Sequence, residues 1–223
     1  VARWLWLLQD LPGAGGQAVL VHGLLEGYGR VTSGHVLREL GVMPTISVAQ
    51  AQATLDEKRL AFMPLSALSS GANDLLRMRA RMGVRNSAHS LVKMLDPFRG
   101  EGVLVTAATH PEFLELMRDM LLTLDRRGIL LRCSEGEPFA NPKRRPRLEF
   151  IHDARVDVLF EAEHDSLRAL PCLPDAIDAA RTARWISRVL DHQLPLPKPI
   201  ANQLACCLFA CGYAGDFNKA KAI

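Results

Sequence analysis

The sequence predicts an α/β fold in which a mostly parallel sheet is flanked by helices. Short apolar runs at residues 18–23, 59–65 and 102–108 have the length and composition of buried strands. Helical patterns follow the first and the third of these runs, and such alternation is typical of a sheet with helices on its faces. The chain of 223 residues is long enough for this fold to bury a large core.

The first predicted elements are a strand and a helix. AVLVHG at residues 18–23 ends at a glycine and reads as a buried strand. SGHVLRELG at residues 33–41 follows as a helix, with Ser33 as the expected N-cap and Gly41 as the expected stop. The next predicted elements are a second strand and two helices with basic residues, over residues 59–65, 71–82 and 87–95.

The clearest unit of the sequence is a strand, a helix and another strand. GVLVTAA at residues 102–108 is the first strand, Pro111 suits the first turn of the helix, and GILLRC at residues 128–133 follows at once. Because the helix crosses back and only a short loop joins it to the second strand, the two strands are predicted to pair in parallel. The apolar stripe expected on the helix consists of Phe113, Met117, Met120, Leu121 and Leu124.

The rest of the chain reads as a basic loop, two strands and two helices. Residues 134–146 are rich in turn formers, and residues 147–163 alternate polar and apolar side chains as half-exposed strands do. The two helices are predicted over residues 174–191 and 199–211. We expect residues 1–17 to be the remnant of a preceding helical segment and residues 18–223 to form the α/β domain.

Composition narrows the classes of function. The formal net charge is only +3, so binding of a polyanion has to come from local clusters of basic residues. The five cysteines include no CxxC pair, which is typical of free thiols in a reducing compartment and not of a zinc site. No apolar run approaches the roughly twenty residues that span a bilayer. We therefore expect a cytoplasmic protein that does not insert into a membrane.

Basic residues gather in two clusters, one on the helices of residues 77–93 and one in the loop of residues 143–147. Helical spacing places Arg77 and Arg81 on one face. The residues alone leave three functions open: a substrate site, docking of a polyanion, or a solvated helix face. The candidate phosphate-binding residues are Arg77, Arg79, Arg81, Arg85, Lys93, Lys143, Arg144, Arg145 and Arg147.

Several segments follow one another in an order shared with a known family: AVLVHG, SGHVLRELGV, FMPL, RARMGVRNSAHSLVKMLDP and GVLVTAATHPEFLELM. Their order resembles that of the anthranilate phosphoribosyltransferase family, glycosyl transferase family 3. GVRNSAH, SEGE and GYA are closer to the branch described as nucleic-acid binding. The resemblance implies a class III (nucleoside/anthranilate) phosphoribosyltransferase fold, with a small helical domain largely missing from this chain. It also implies a homodimer of the full-length protein.

The chain departs from the family at the groups that bind substrate. His22 and Gly23 match a His-Gly pair, but Val21, Leu24 and Leu25 stand where the enzymes have Lys, Asn and Arg. The Gly-rich phosphate loop would lie before Val1, and GAGG at residues 13–16 does not stand where that loop belongs. Pro138 and Phe139 fall on the Asp-Glu pair that binds Mg²⁺ in the enzymes. The neighbouring carboxylates, Glu135 and Glu137, are the remaining candidates for a metal site.

The leading hypothesis is therefore a catalytically degenerate fold that binds nucleic acid without a cofactor, with DNA, and single strands of it, suggested by the resemblance. The alternative is an active phosphoribosyltransferase that uses phosphoribosyl pyrophosphate and Mg²⁺ on an aromatic or nucleobase-like acceptor. Its candidate substrate residues are His22, Gly23, Arg85 and His89, and the resemblance places Arg85 near an acceptor carboxylate. A third hypothesis is a scaffold that binds a protein partner.

Overall fold

The computed structural model describes residues 17–27, 29–98, 102–133, 136–164, 172–174 and 176–222. Its strands are β1 (Val19–Gly23), β2 (Leu60–Pro64), β3 (Leu104–Ala108), β4 (Gly128–Arg132), β5 (Leu148–His152) and β6 (Arg155–Phe160). The helices of the first half are α1 (Ser33–Glu39), α2 (Val48–Lys58), α3 (Leu65–Leu68), α4 (Ser70–Arg77), α5 (Arg79–Met82) and α6 (Ala88–Leu91). Those of the second half are α7 (Pro111–Thr123), α8 (Ala179–Leu190), α9 (Lys198–Ala210) and α10 (Phe217–Ala222).

The chain divides into two compact units. The first lies within Val1–His89 and Cys172–Pro195, and the second within Ser90–Pro171 and Leu196–Ile223. Of the predicted preceding segment, only Gln17 lies among the described residues, and the GAGG stretch lies outside them. No helix in the described parts of the chain has the length and apolar character needed to cross a membrane.

In the first unit, β1 and β2 pair in parallel, with Val19 opposite Leu60. The apolar runs thus predicted both strands, although β1 is only half-buried while β2 is buried along its whole length. Helix α1 begins as expected, but its N-cap is Thr32 and not Ser33. Thr32 takes this position because its hydroxyl accepts a hydrogen bond from the backbone N–H of His35, which satisfies a free donor of the first turn.

The second unit contains a four-stranded sheet in the order β3-β4-β5-β6. Strands β3 and β4 pair in parallel, as the strand–helix–strand pattern predicted. The pairs β4–β5 and β5–β6 are antiparallel, so the prediction of a mostly parallel sheet is wrong for this unit. The physical reason is the connection between β5 and β6, which is a turn of only two residues, Asp153 and Ala154. Only antiparallel neighbours can be joined by so short a turn.

The core of this unit lies between α7 and the sheet. Met117 and Leu121 are buried in a cluster with Ala108, Leu130 and Ile151. The ends of the predicted stripe are not buried, since Phe113 is 37% and Leu124 is 54% exposed. Leu124 is the C-cap and lies just outside the helix, while Phe113 lies in its first turn.

The prediction of half-exposed strands over residues 147–163 holds only for β6. Strand β5 is buried at four of its five positions, including Glu149. Glu149 is tolerated there because Arg118 donates from Nε at 2.9 Å and from Nη2 at 3.1 Å to its two carboxylate oxygens. The carboxylate in turn raises the pKa of Arg118, chiefly through this hydrogen bond.

Candidate nucleic-acid interface

The first basic cluster lies on α4, on α5 and in the segment that follows. Arg77 is the last residue of α4, and Arg81 lies one turn further, in α5. Both side chains are exposed, as is Arg85, while Arg79 is half-buried. Gly83 ends α5 in the left-handed conformation, with φ of +72°, so Arg85 does not continue the helical row.

Arg77 and Arg81 carry exposed charges. Within the described part of the chain, neither guanidinium has a carboxylate partner, whereas Arg79 and Arg85 each take part in an interaction within the chain. An open depression of about 530 Å³ adjoins Arg77 and Arg81, and Leu75 and Met78 contribute apolar surface to its wall. Basic groups beside accessible apolar surface suit a phosphate chain that carries bases.

Lys93 is not part of this exposed group. It lies in a turn of 3₁₀ helix, Val92–Met94, at the start of the second unit. Its side chain is half-buried, and Nζ donates a hydrogen bond of 2.8 Å to the carbonyl oxygen of Ala107 in β3. The ammonium group is therefore used inside the second unit.

The second basic cluster separates into two residues without a carboxylate partner in the described structure and two ion-paired residues. Lys143 and Arg144 are the first two, and both are exposed. Arg145 Nη1 lies 3.2 Å from a carboxylate oxygen of Glu163, and its guanidinium lies 4.8 Å from the centre of the Phe160 ring. Arg147 Nε lies 3.1 Å from Glu149 Oε1. Two of the four charges are thus committed to contacts that hold the loop on the sheet.

A buried amide holds the same loop from its other side. Gln203, on α9, is fully buried. Its Oε1 accepts a hydrogen bond of 2.6 Å from the backbone N–H of Ala140, and its Nε2 donates one of 2.9 Å to the carbonyl oxygen of Pro138. Sequence reasoning missed this residue, because one glutamine in an apolar helix gives no signal of its long-range partners. The loop is therefore fixed on both sides of Lys143 and Arg144.

The candidate substrate residues lie elsewhere in the first unit. His22 and Gly23 end β1, at the carboxyl end of a parallel pair, where α/β folds commonly bind ligands. The depression at this end is small, about 120 Å³. It is lined by Leu24, Leu25, Glu26, Leu65, Ser66, Asn73 and Arg77. The structure does not place His22 or Gly23 in that lining.

His89 is used in a local turn. Its Nδ1 accepts from the backbone N–H of Asn86 at 3.3 Å, and Asn86 Nδ2 donates to the carbonyl oxygen of Leu75 at 2.9 Å. These bonds tie the start of α6 to α4, and the role of His89 in a substrate site stays a prediction. Arg85 lies in the same turn, exposed.

The proposed metal ligands can be tested only in part. Glu135 lies outside the described residues, and Glu137 is half-buried with an interaction within the chain. Where the structure describes the chain, no three side chains of His, Cys, Asp or Glu are grouped so that they could hold a metal ion. A Mg²⁺ site at Glu135 and Glu137 therefore stays a prediction.

Comparison with protein-family models finds no match for the chain. The chain is 38% identical over 208 residues to the uncharacterized protein YbiB of Escherichia coli (strain K12). This alignment covers 93% of this chain and 64% of YbiB. It is also 27% identical over 121 residues to anthranilate phosphoribosyltransferase of Methanosphaerula palustris, in an alignment that covers 54% of this chain and 35% of the enzyme. The chain thus spans less than two thirds of the length of these relatives.

Solved structures of anthranilate phosphoribosyltransferases are similar to nearly the whole chain. The enzyme from Thermus thermophilus has a TM-score of 0.69 at 20% identity, covering 93% of this chain and 62% of that one. The Saccharomyces cerevisiae enzyme in complex with PRPP and Mg has a TM-score of 0.53 at 12% identity, covering 91% of this chain and 66% of that one. The chain therefore has the α/β fold of the anthranilate phosphoribosyltransferases.

Proposed function

We propose that this protein binds nucleic acid through electrostatic contacts with the phosphate backbone. The observation that carries the proposal is the pair Arg77 and Arg81, both exposed, one helical turn apart, and without a carboxylate partner among the described residues. Lys143 and Arg144 add two exposed charges on a loop that is held in place from both sides. Arg79 lies between the two in sequence and Arg85 follows them, and both take part in interactions within the chain. Lys93, Arg145 and Arg147 have structural contacts.

The chemistry of these groups favours binding without base selectivity. Arg and Lys neutralise phosphates and release condensed counterions, which supplies affinity for any sequence. Among the described residues, the aromatic side chains near the clusters in sequence or in space are few: Phe98 is 37% exposed, and Phe139 and Phe160 are half-buried. We therefore infer that phosphate contacts dominate and that stacking is secondary.

At the end of β1, Leu24 and Leu25 stand where the family resemblance places Asn and Arg, and they line the small depression there. Its remaining side-chain donors are Ser66, Asn73 and Arg77. The alternative function, phosphoribosyl transfer, draws on the likeness to enzymes of the same fold. Within this depression Arg77 is the cation it could use.

The proposal is tested by reversing charges in pairs. Arg77→Glu with Arg81→Glu is compared with a control pair, Lys58→Glu with Lys219→Glu, which makes the same change in net charge at exposed lysines outside both clusters. Fluorescence anisotropy with a labelled oligonucleotide measures Kd at one ionic strength. We expect the arginine pair to raise Kd by about 10- to 100-fold, since each lost charged contact costs on the order of 1 kcal/mol at an exposed site. Equal affinity of the two variants would overturn the proposal.

A further inference from the structure

Helices α4 and α5 carry a surface on which basic and apolar side chains follow each other in a fixed order. Arg77 is followed by Met78, and four residues later Arg81 is followed by Met82. The helical turn is continuous across the junction, because the backbone N–H of Met78 donates to the carbonyl of Asp74 and that of Met82 to the carbonyl of Met78. At about 100° per residue the arginines form one row and the methionines a second row, about 100° further around the axis. These four residues, the α4–α5 surface, are all exposed.

Helix α7 carries the same arrangement with the opposite charge. Glu115 is followed by Leu116, and four residues later Asp119 is followed by Met120. Glu115, Leu116 and Asp119 are exposed, and Met120 is half-buried. The acidic row and the apolar row are again about 100° apart, in the same sense around the helix. These four residues, the α7 surface, therefore match the α4–α5 surface in spacing and oppose it in charge.

The carboxylates of the α7 surface are open to an external cation. In the described part of the chain, neither Glu115 nor Asp119 has a hydrogen bond to its carboxylate or a cationic group at ion-pair distance. Arg118 lies between them in sequence, but its guanidinium is bound by Glu149. That bond is the largest cause of the raised pKa of Arg118, and the charges of Glu115 and Asp119 add to it. Both carboxylates are therefore available to a partner, as the arginines of the α4–α5 surface are.

Only an antiparallel arrangement of the two helices brings the charged rows together. Viewed from the N-terminus of each helix, the apolar row lies on the same side of the charged row. Parallel helices placed face to face would therefore set each charged row against an apolar row, whereas antiparallel helices set charge against charge. In the antiparallel arrangement Arg77 lies opposite Asp119 and Arg81 opposite Glu115, because the members of each row are separated by about 6 Å along the axis.

The neighbouring side chains fit the same register. Met78 falls between Leu116 and Met120, so that an apolar ridge of one helix enters a groove of the other. Asp74, the acidic residue one turn before the basic row, falls opposite the exposed hydroxyl side chain of Thr123. The register thus pairs opposite charges and covers apolar side chains without placing two carboxylates together.

We propose that the α4–α5 surface of one copy of this chain binds the α7 surface of a second copy, with the two helices antiparallel. The contact joins two different surfaces, so each copy keeps one surface for a further copy, and the association continues from copy to copy or closes into a ring. Exposed ion pairs contribute little, so the association is weak and requires a high protein concentration. It goes beyond the proposed function but uses the same arginines, so a second copy and a phosphate chain compete for Arg77 and Arg81.

The test uses two variants, each of which reverses the charge of one surface. Arg77→Glu with Arg81→Glu reverses the α4–α5 surface, and Glu115→Arg with Asp119→Arg reverses the α7 surface. Sedimentation velocity over a series of protein concentrations, without nucleic acid, measures the average mass. We expect the mass of the wild-type protein to rise with concentration, and each variant alone to require at least a tenfold higher concentration. An equimolar mixture of the two variants should regain the association, because each reversed surface then meets a surface of opposite charge.

Two control variants make the same changes in net charge at exposed positions outside both surfaces. They are Lys58→Glu with Lys219→Glu, and Glu39→Arg with Glu57→Arg. We expect both controls to associate as the wild-type protein does. Urea unfolding shows whether each variant is folded, and the mixture is a second check, because misfolded variants do not regain the association when they are combined.

The inference is overturned if the mass of the wild-type protein does not depend on concentration, if either variant alone associates as the wild type does, or if the mixture fails to regain the association. A short oligonucleotide separates this inference from the proposed function. If it dissociates the wild-type assembly, the second copy and the phosphate chain share Arg77 and Arg81, as both proposals require. If the mixture regains the association but the oligonucleotide leaves the wild-type assembly unchanged, the association stands and the proposed function fails.

Discussion

Replacing Gln203 by methionine keeps the length of the side chain but removes its hydrogen bonds to Ala140 and Pro138, which hold the basic loop. The backbone N–H of Ala140, which is fully buried, then loses its acceptor, and the half-buried carbonyl of Pro138 loses its donor. An unsatisfied buried group costs about 1–3 kcal/mol, and the partly accessible carbonyl falls at the low end of that range. We expect a loss of about 2–4 kcal/mol in the free energy of unfolding, measured by urea denaturation.

The neighbouring residue on α9 provides a matched control. The Nδ2 atom of Asn202 is buried without a hydrogen-bond partner within the described structure. Asn202→Leu therefore replaces an amide that satisfies nothing, and we expect it to be neutral or slightly stabilising. Equal destabilisation by Asn202→Leu and Gln203→Met, or an unchanged urea midpoint in Gln203→Met, would refute the reasoning.

The hydrogen bonds of Gln203 also lead to a prediction about oligonucleotide binding. If Gln203 acts on binding by holding Lys143 and Arg144 in place, Gln203→Met weakens oligonucleotide binding in the native chain. The same change has little further effect once Lys143→Ala and Arg144→Ala have been made. This double-mutant cycle separates positioning from a general loss of stability, because instability would weaken binding equally in both backgrounds.

Further predictions concern the β5–β6 turn, the thiols and the substrate of the related enzymes. Asp153 and Ala154 both have positive φ, 47° and 54°, so Ala154→Gly should stabilise the protein by about 1 kcal/mol, seen as a higher urea midpoint. Exposed Cys172 should react with a thiol reagent in the native state, whereas buried Cys206 and Cys207 should react only on unfolding. Burial raises the pKa of both buried thiols above the ordinary 9.0. The thiols therefore ionise in the unfolded chain before they ionise in the folded one, and the free energy of unfolding should fall as the pH rises above 9.0. Calorimetry should show weaker binding of phosphoribosyl pyrophosphate with Mg²⁺ than of an oligonucleotide at equal ionic strength. Tighter binding of the small molecule would favour the transferase.

Strand positions could be predicted because they depend on local pattern. Four apolar runs located β1, β2, β3 and β4 to within two residues, and the short return after α7 fixed the parallel pairing of the last two. The orientation of β6 could not be predicted in the same way. Its turn consists of Asp153 and Ala154 and lacks the Asn-Gly or Asp-Gly signature of a two-residue hairpin.

The candidate interface shows the same division between local and distant causes. Helical spacing predicted that Arg77 and Arg81 share a face, and both are exposed. The pairing of Arg147 with Glu149 and of Arg145 with Glu163 depends on how the loop meets β5 and β6. That information is absent from a list of charges, so the sequence did not separate the ion-paired Arg145 and Arg147 from Lys143 and Arg144.

The dependence of oligonucleotide binding on salt tests the central claim most directly. Two phosphate contacts from Arg77 and Arg81 predict a contribution of about −1.4 to the log–log slope for a single strand, at roughly −0.7 per contact. Charge reversal at both positions should remove that contribution. Absence of binding at low salt, or a variant that keeps the wild-type slope, would contradict nucleic-acid binding by these residues.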